Sequence, residues 1–563
     1  MAQEDSLPGL KKRINTFCEK LLPKQETIGK VRSGKIIHDA TWGTQRFEKH
    51  EVEIIDTPLF QRLRGLNQMG FVDYVYPSAR HSRFEHSLGV AVLASKMIDA
   101  VLSKDCTSAL LDENVKRSIR LSALLHDVGH CMFSHTSELI YGVYLDGYIE
   151  EEFKDDHKKP SPHEFFSYLI VTSKSFREFF ETICDKYSLC FDLDEIASRI
   201  VGRSKSRQDK YKTDFINGPI DADKLDYFHR DSQFSGIPIQ LDIDRLLQEI
   251  SISQIPIDQK KAVRTLTVST SGITCIEQFI FNKMILYSTI YSHHKVEAID
   301  CMLKGIFEYI MNNHICLNIG DTEREIKYPD DFLYLSDSNL FALADSTRDC
   351  ELKRLINNIR RRHLLKRAFV ISRKTLIKEW DEITPSYNED LLKIVEEKNL
   401  SVEEKLYQIK SKLEGTHSHS KVGMSGILNL LDQGANKLEK HNYLRGLAKK
   451  IFERAMQISK DSLKCKPYEI WIDMPKSPSS EEIQDSMMVR ANREVDGNFK
   501  SIDKYFPFPQ YKDLYENNRL NGYVFAPEDS VEVVSIAAKD VLEKSLGIKF
   551  NNHAFRPSST YSH

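Results

Sequence analysis

The stretch LLHDVGHCMFSH, residues 124–135, holds three histidines and an aspartate within twelve residues. His126 and Asp127 pair a neutral nitrogen donor with a hard carboxylate oxygen, a mix that suits Mn, Fe, Co, Ni or Zn. Adjacent residues on a helix point about 100° apart, so the doublet needs an irregular helix end to converge on one ion. Gly129 is the residue expected to provide it. Two ligands are too few for a firm site. RFEHSLGV places His86 at the start of an amphipathic helix upstream, and IDADKLDYFHRD places Asp221, Asp223, Asp226 and Asp231 on a helical stretch downstream. Each feature alone is weak, because a lone histidine on an apolar face is more often a core residue and an Asp-rich helix is usually a solvated face. A histidine, an HD doublet and an aspartate on helices, with further histidines nearby, together describe a divalent-cation centre. Histidine is also the best side-chain acid or base near neutrality. His130, His135 and, in SPHEFF, His163 are therefore candidates to act on whatever the cation binds.

Helices must hold these groups. From about 59 to 310, apolar residues recur at three and four, as in SLGVAVLASKMIDAVL, VKRSIRLSALLHD and CIEQFIFNKMILYSTIYSHHK, the helical period. Residues 1–34 read as a short helical or loose leader. Residues 35–56 carry two β-like pieces, KIIHD and EVEIID, ending at Asp56-Thr57-Pro58. EEFKDDHKKPSP (151–162) and GRSKSRQDKYKTD (202–214) are polar breaks, expected to be loops. Residues 337–380, with the basic run IRRRHLLKR, read as further helix, and 415–426 as a linker. A helix over 428–459 and a strand in KPYEIWIDMP follow, and the last residues, NNHAFRPSSTYSH, are expected to fray.

The chain has 563 residues, 41% of them hydrophobic and 29% charged, an ordinary globular balance. A chain this long buries a core that needs no disulfide or metal in order to fold. The net charge of −3 argues against a general polyanion or membrane-surface binder, so nucleic acid is not the expected partner. No apolar run approaches the twenty residues of a membrane-spanning helix. The start, MAQEDSLPGLKKRINTF, lacks an apolar signal core, and the ten cysteines show no CxxC pair. A reducing, cytoplasmic setting follows as the expectation.

The set of motifs KIIHD, IIDTPLFQRLRGLNQMG, HSRFEHSLGV, LLHDVGHCMFSH, SPHEFF, IDADKLDYFHRD and YSHHKVEAID resembles the HD-domain phosphohydrolases. Within them it looks like the dNTP triphosphohydrolases, which include bacterial dGTPase-like enzymes and the sterile-alpha-motif/HD-domain dNTPase. The resemblance covers roughly residues 35–370. It implies a mainly α fold: an HD-domain helical bundle over 35–380 with short β elements near the N-terminus. Residues 381–563 would form a C-terminal α/β extension of unknown role. The resemblance also leaves no room for an N-terminal sterile-alpha-motif domain.

The implied metal ligands are His86, His126, Asp127 and Asp223, holding Mn²⁺, Mg²⁺, Fe²⁺ or a similar ion. His130, His135 and His163 would surround the α-phosphate, with His135 as general acid for the departing 5′ oxygen. Arg83, Lys224 and Lys283 match phosphate-binding positions, although some relatives carry Arg where Lys283 stands, so the fork geometry is lost. Gln68 and Asp231 match positions that hold the sugar 3′-hydroxyl, and Tyr227 and Tyr291 match rings near C2′ that would exclude a ribose hydroxyl. The family commonly reads Tyr-x-His-Lys where this chain has Tyr291-Ser292-His293-His294, so a fixed charge becomes a titratable one.

In the same family, nucleotide activators bind at subunit interfaces. Lys35, Asp56, Gln61, Arg64, Arg362 and Lys366 match those positions. Asp56 could accept hydrogen bonds from a guanine edge. GTP or a dNTP is thus the implied activator, and a dimer or tetramer the implied assembly. Asp56 at a turn and IRRRHLLKR as a solvated helix face are the plain alternatives. The activity implied is dNTP + H2O to deoxynucleoside + tripolyphosphate. The alternatives are an HD phosphodiesterase or nuclease acting on nucleic acid or a cyclic nucleotide, and a non-catalytic nucleotide sensor. Relatives balance dNTP pools or starve viral replication, and the sequence distinguishes neither role.

Overall fold

A computed structural model describes residues 6–375 apart from 105–109, 157, 205, 259–260 and 320–321. It also describes 437–555 apart from 475–486, 491–498, 508–509, 512–514, 516–520 and 547. Between 376 and 436 it describes only 382–383, 397, 400–402, 404–405, 407–408 and 421–422.

The helix Leu7–Leu21 is capped by Ser6, whose hydroxyl accepts the Gly9 N–H at 3.3 Å. Leu10, Ile14 and Phe17 recur at helical spacing and are buried in the same core as the central helices. KIIHD forms the strand Lys35–Asp39, paired antiparallel with Gly43–Phe47. EVEIID is not a strand. It lies in the helix Lys49–Ile55, with every residue from His50 to Ile55 buried. Its Glu-Val-Glu alternation looks like a half-exposed strand, but both glutamates are satisfied inside. Glu51 pairs with Arg120, and Glu53 accepts the Gly29 N–H and the Tyr187 hydroxyl, each at 2.8 Å. A buried carboxylate so partnered defeats a reading based on polarity.

Three helices form the centre of the bundle: Arg83–Leu102, Glu113–Leu125 and Ala222–Ser235. The first is buried along most of its length, and each fully buried Leu, Ile or Val on it contributes about 1.5–3 kcal/mol. A Cβ on its Gly89 would run into the Asp226 carboxylate and the Arg230 guanidinium. The glycine thus lets the Ala222–Ser235 helix approach closely. The predicted helical region also contains an unforeseen hairpin, Ile250–Asp258 with Lys261–Ser269. Met488–Arg490 joins its edge in parallel, followed by Phe499–Ser501.

Helices Asp337–Ser346 and Cys350–Arg360 occupy much of 337–380, but IRRRHLLKR ends the second helix and then leads into the strand Lys366–Ile371. That strand joins Gly522–Ala526 and Trp471–Asp473 in an antiparallel sheet. Helices Lys437–Ile458 and Val531–Leu546 bury Leu447, Ile451, Val534 and Ala538 in the cluster that includes the sheet. The fold is therefore a helical bundle with small sheets and an α/β C-terminal part. That part is fixed to the bundle: Arg445 donates to both oxygens of Glu308 at 2.6 and 3.1 Å, and Arg354 reaches Glu469 at 2.9 Å. Of the tail expected to fray, residues 551–555 are described: Asn552–Ala554 form a short helical turn and Phe555 bridges Phe369. Apart from Lys421–Val422, the 415–426 segment lies outside the described residues, as does 428–436. Among the described residues no helix is long and apolar enough to cross a membrane.

Candidate active site

His126 is the C-cap of Glu113–Leu125, and the chain then turns away. Its Nδ1 hydrogen-bonds the Ala123 carbonyl at 2.7 Å, which fixes the tautomer and leaves Nε2 for the interior. Asp127 follows in the turn, almost fully buried. Gly129 does not loosen this turn as expected. A Cβ there would strike the backbone of His163, Phe166 and Ser167, so its role is close approach to the helix Pro162–Thr172.

His86 stands one turn into Arg83–Leu102, whose start is fixed by a Ser82–Glu85 capping box. Its Nδ1 is 2.8 Å from Asp226 Oδ2. Its Nε2 lies 3.0 Å from Asp223 Oδ1 and 3.6 Å from Asp127 Oδ2. His126 Nε2 lies 3.3 Å from Asp127 Oδ1 and 3.7 Å from Asp223 Oδ1. One ligand atom from each of His86, His126 and Asp127 falls within 4.8 Å of the others. The Nε2 atoms of both imidazoles are buried without a hydrogen-bond partner. Burial opposes a charge on His86, yet the carboxylates of Asp223, Asp226 and Asp127 outweigh it and raise the ring to about 10. Such a field draws positive charge between the donors, and a divalent cation supplies it while the rings stay neutral ligands. Two imidazoles with carboxylate oxygens fit a first-row divalent ion.

Asp226, one of the downstream aspartates named in the sequence but not among the implied ligands, holds His86 from behind. Its two oxygens take His86 Nδ1, the Trp42 indole N–H and the Arg230 guanidinium, and Arg230 also reaches Asp39 at 2.9 Å. The N-terminal hairpin is thereby tied to His86 of the donor set.

A second cluster lies alongside: His130, His135, Glu138 and His163. His135 opens the helix His135–Tyr141, and Glu138 sits one turn on. Glu138 Oε2 is 2.9 Å from His135 Nδ1, while Oε1 bonds His163 Nδ1. Burial opposes a charge on His163, but Glu138 overrides it and raises the ring to about 9. His130 goes the other way: burial, then Arg83 and His163, hold it well below the usual histidine range. Both ring nitrogens of His130 are buried without a partner. Glu138 escaped the sequence reading because HTSELI looks like an ordinary helix start; its i+3 spacing from His135 was the available signal.

Each cluster reaches one cavity of about 810 Å³, within the range of ligand sites, through some of its members, while His86, His126 and His130 lie behind its lining. Asp127, Asp223, His135 and His163 reach it, as do Gln68, Arg83, Lys224, Tyr227, Asp231 and Tyr291. Arg83 is engaged with Asp127 at 2.7 Å and the Ser134 hydroxyl at 2.8 Å. Lys224 Nζ contacts Asp221 at 2.6 Å and the Gly218 carbonyl at 2.9 Å. Gln68 offers a buried side-chain oxygen without a partner. Tyr291 donates to Asp231 Oδ2 at 2.5 Å, and His81 holds the other oxygen at 2.8 Å. Tyr291 lies in a π-helical turn, Tyr287–Tyr291, a form frequent at functional sites. Lys283 is buried on Ile273–Leu286 and does not line this cavity. His293 and His294 stack with centroids 4.6 Å apart. Burial, followed by nearby Lys295 and Arg367, lowers His293. His294 falls to about 4, through burial and then Arg367. Neither replaces the missing lysine charge at neutral pH.

The positions matched to an activator site divide in two. Lys35 is 2.5 Å from Asp56, Gln61 donates to the Ile55 carbonyl at 2.8 Å, and Arg64 donates to Gln61 at 2.8 Å while stacking on Phe84. Arg362, at φ 61°, donates to the Tyr74 carbonyl at 3.3 Å, and Lys366 lies 3.6 Å from Glu528.

Residues 83–231 match the HD domain and residues 241–440 the HD associated region. The chain is 30% identical over 345 residues to a deoxynucleoside triphosphate triphosphohydrolase SAMHD1 homolog of Dictyostelium discoideum, covering 60% of each chain. It is 27% identical over 381 residues to the human deoxynucleoside triphosphate triphosphohydrolase SAMHD1, covering 62% of this chain and 58% of that protein. An uncharacterized Bacillus subtilis protein, YwfO, is 28% identical over 263 residues, 46% of this chain and 52% of that one. The chain thus spans about half to three fifths of the length of these relatives.

Proposed function

We propose that this chain, which carries an HD domain followed by its associated region, is a metal-dependent dNTP triphosphohydrolase. The reaction is dNTP + H2O to deoxynucleoside + tripolyphosphate. The observation that carries it is that two unlike clusters meet one cavity: Asp127 of the His86–His126–Asp127 donor set lines it, and so do His135 and His163, bridged by Glu138, of the set that includes His130. A binding protein has no need of the second.

His86, His126, Asp127 and Asp223 hold the cation, which when bound lowers the pKa of water and polarises a phosphoryl oxygen. His163, kept cationic by Glu138, and Arg83 face the α-phosphate, and Lys224 neutralises charge further along the triphosphate. Water adds to the α-phosphorus, the bond to the 5′ oxygen breaks, and His135 gives that oxygen a proton. Glu138 anchors the Nδ1 side of His135, leaving Nε2 for the leaving group. Gln68 and Asp231 bind the 3′-hydroxyl, and the Tyr227 and Tyr291 rings leave no room for a 2′-hydroxyl.

The cluster of Lys35, Asp56, Gln61 and Arg64 supports an activator site for GTP or a dNTP that assembles a dimer or tetramer, with Arg362 and Lys366 facing activator phosphates. A cytoplasmic dNTP pool is the fitting substrate source. The test is a screen of each dNTP with Mn²⁺ or Mg²⁺, alone and in mixtures, with products resolved by chromatography. Tripolyphosphate with deoxynucleoside supports the proposal. Monophosphate or shortened oligonucleotide would make the chain a phosphodiesterase or nuclease, and binding without turnover a sensor.

A further inference from the structure

The loop that carries His130 and His135 contains a costly bend. Phe133 and Ser134 are consecutive non-glycine residues, both at φ 51°. Side chains disfavour this region, and such a bend persists only where its surroundings over-determine it. Three contacts do so. The Phe133 ring stacks on Phe71 with centroids 4.1 Å apart. The Ser134 hydroxyl accepts from Arg83 Nε at 2.8 Å and donates to the Asn67 carbonyl at 2.5 Å. The third comes from outside the HD domain. Asp337, first residue of the helix Asp337–Ser346, accepts the Phe133 N–H on Oδ1 at 2.6 Å and the Asn67 N–H on Oδ2 at 2.8 Å.

We propose that Asp337 is a positioning residue: its carboxylate clamps the histidine loop at 130–135 to the Asn67–Gln68 loop, setting the distance between the chemistry and the sugar. It touches neither substrate nor metal ligand. Its effect on turnover rests on the phosphohydrolase reading above; its effect on the loops does not. Burial raises the Asp337 carboxyl to about 7, and above that pH it is ionised and accepts both N–H groups, one per oxygen. An asparagine keeps one acceptor and turns an NH2 group toward the other N–H, so Asp337→Asn breaks one bond with almost no change in volume.

The experiment compares full-length wild type, Asp337→Asn and Asp337→Ala by hydrogen exchange, bound metal, melting temperature, and kcat and KM for dNTP. The expected result for Asp337→Asn is at least tenfold faster exchange confined to peptides over 65–70 and 128–136. Its kcat falls ten- to a hundredfold, KM changes less than threefold, and bound metal stays at the wild-type level. Unchanged exchange at these peptides overturns the clamp, and so does an unchanged kcat in an active enzyme. Faster exchange throughout the chain with proportional loss of metal also overturns it, because Asp337 is then a general stability residue. Should the wild type hydrolyse no dNTP, the phosphohydrolase reading fails, while the exchange arm still decides whether Asp337 holds the two loops.

Discussion

The His130 ring lies flat on the His163 ring, with centroids 4.0 Å apart and planes 15° apart. One of the two is held neutral and the other cationic, by different neighbours. Burial, Arg83 and His163 keep the proton off His130, while Glu138 keeps it on His163 against the cost of burial.

That division gives a pH dependence. His163 is raised to about 9, so its charge is complete below the unfolded value of about 6.5 and lost as pH rises through about 9. The stability from its pairing with Glu138 is lost over the same window. KM for dNTP should therefore climb as pH approaches 9. Glu138→Gln should move that limb down toward pH 6–7 and lower kcat about 10–100-fold. Identical KM–pH profiles for the two proteins would remove His163 from phosphate binding.

Gly129 makes the stacked pair possible, because the His163 helix crosses where its side chain would be. Gly129→Ala should cost about 1–3 kcal/mol by overpacking, and turnover should fall further than stability because the two rings separate. Thermal unfolding read beside kcat checks this; wild-type values for both would show that the helices yield freely.

Asp226 holds His86 by Nδ1 while Arg230 and Trp42 hold Asp226. Loss of an outer carboxylate of this kind costs about 10–100-fold in metal affinity. Asp226→Asn should show that loss in Mn²⁺ titration calorimetry, and an unchanged affinity would mean that His86 needs no orienting partner.

His126→Ala removes a proposed metal donor whose buried Nε2 makes no hydrogen bond. Turnover should drop at least about 1000-fold and bound metal should fall, with melting temperature measured in the presence of chelator close to that of the wild type. Retained activity with metal still bound would displace the centre.

The surface cluster at Lys35 and Asp56 is tested by size. GTP or a dNTP should convert the chain to a dimer or tetramer in light scattering, and Arg362→Ala should weaken that response about tenfold by losing a phosphate contact. An assembly state and activity indifferent to every nucleotide would end the activator reading.

The sequence by itself was enough to find the helices and much of the centre. The residues gathered in the two clusters are of chemically capable types at helix ends, and the apolar period around His86, His126 and Asp223 is strong. It misread EVEIID because burial of Glu51 and Glu53 depends on Arg120, Gly29 and Tyr187, contacts that no local pattern encodes. It missed the hairpin at 250–269 and the strand Lys366–Ile371 because strands are settled by partners remote in the chain. The N-terminal helix, read as a leader, is a core element for the same reason.

What the sequence determined is which groups can bind a cation, carry a proton or hold a phosphate, since those are properties of side chains. Only tertiary structure decided which of them meet. Asp226 became an orienting group, Glu138 a bridge between two imidazoles, and Asp337 a clamp 204 residues from the bend it holds. The physical reason is that burial and the nearest opposite charge set a group's proton and its partner. Both are fixed by packing between segments far apart in the chain, as where the turn bearing Gly129 lies against the helix bearing His163.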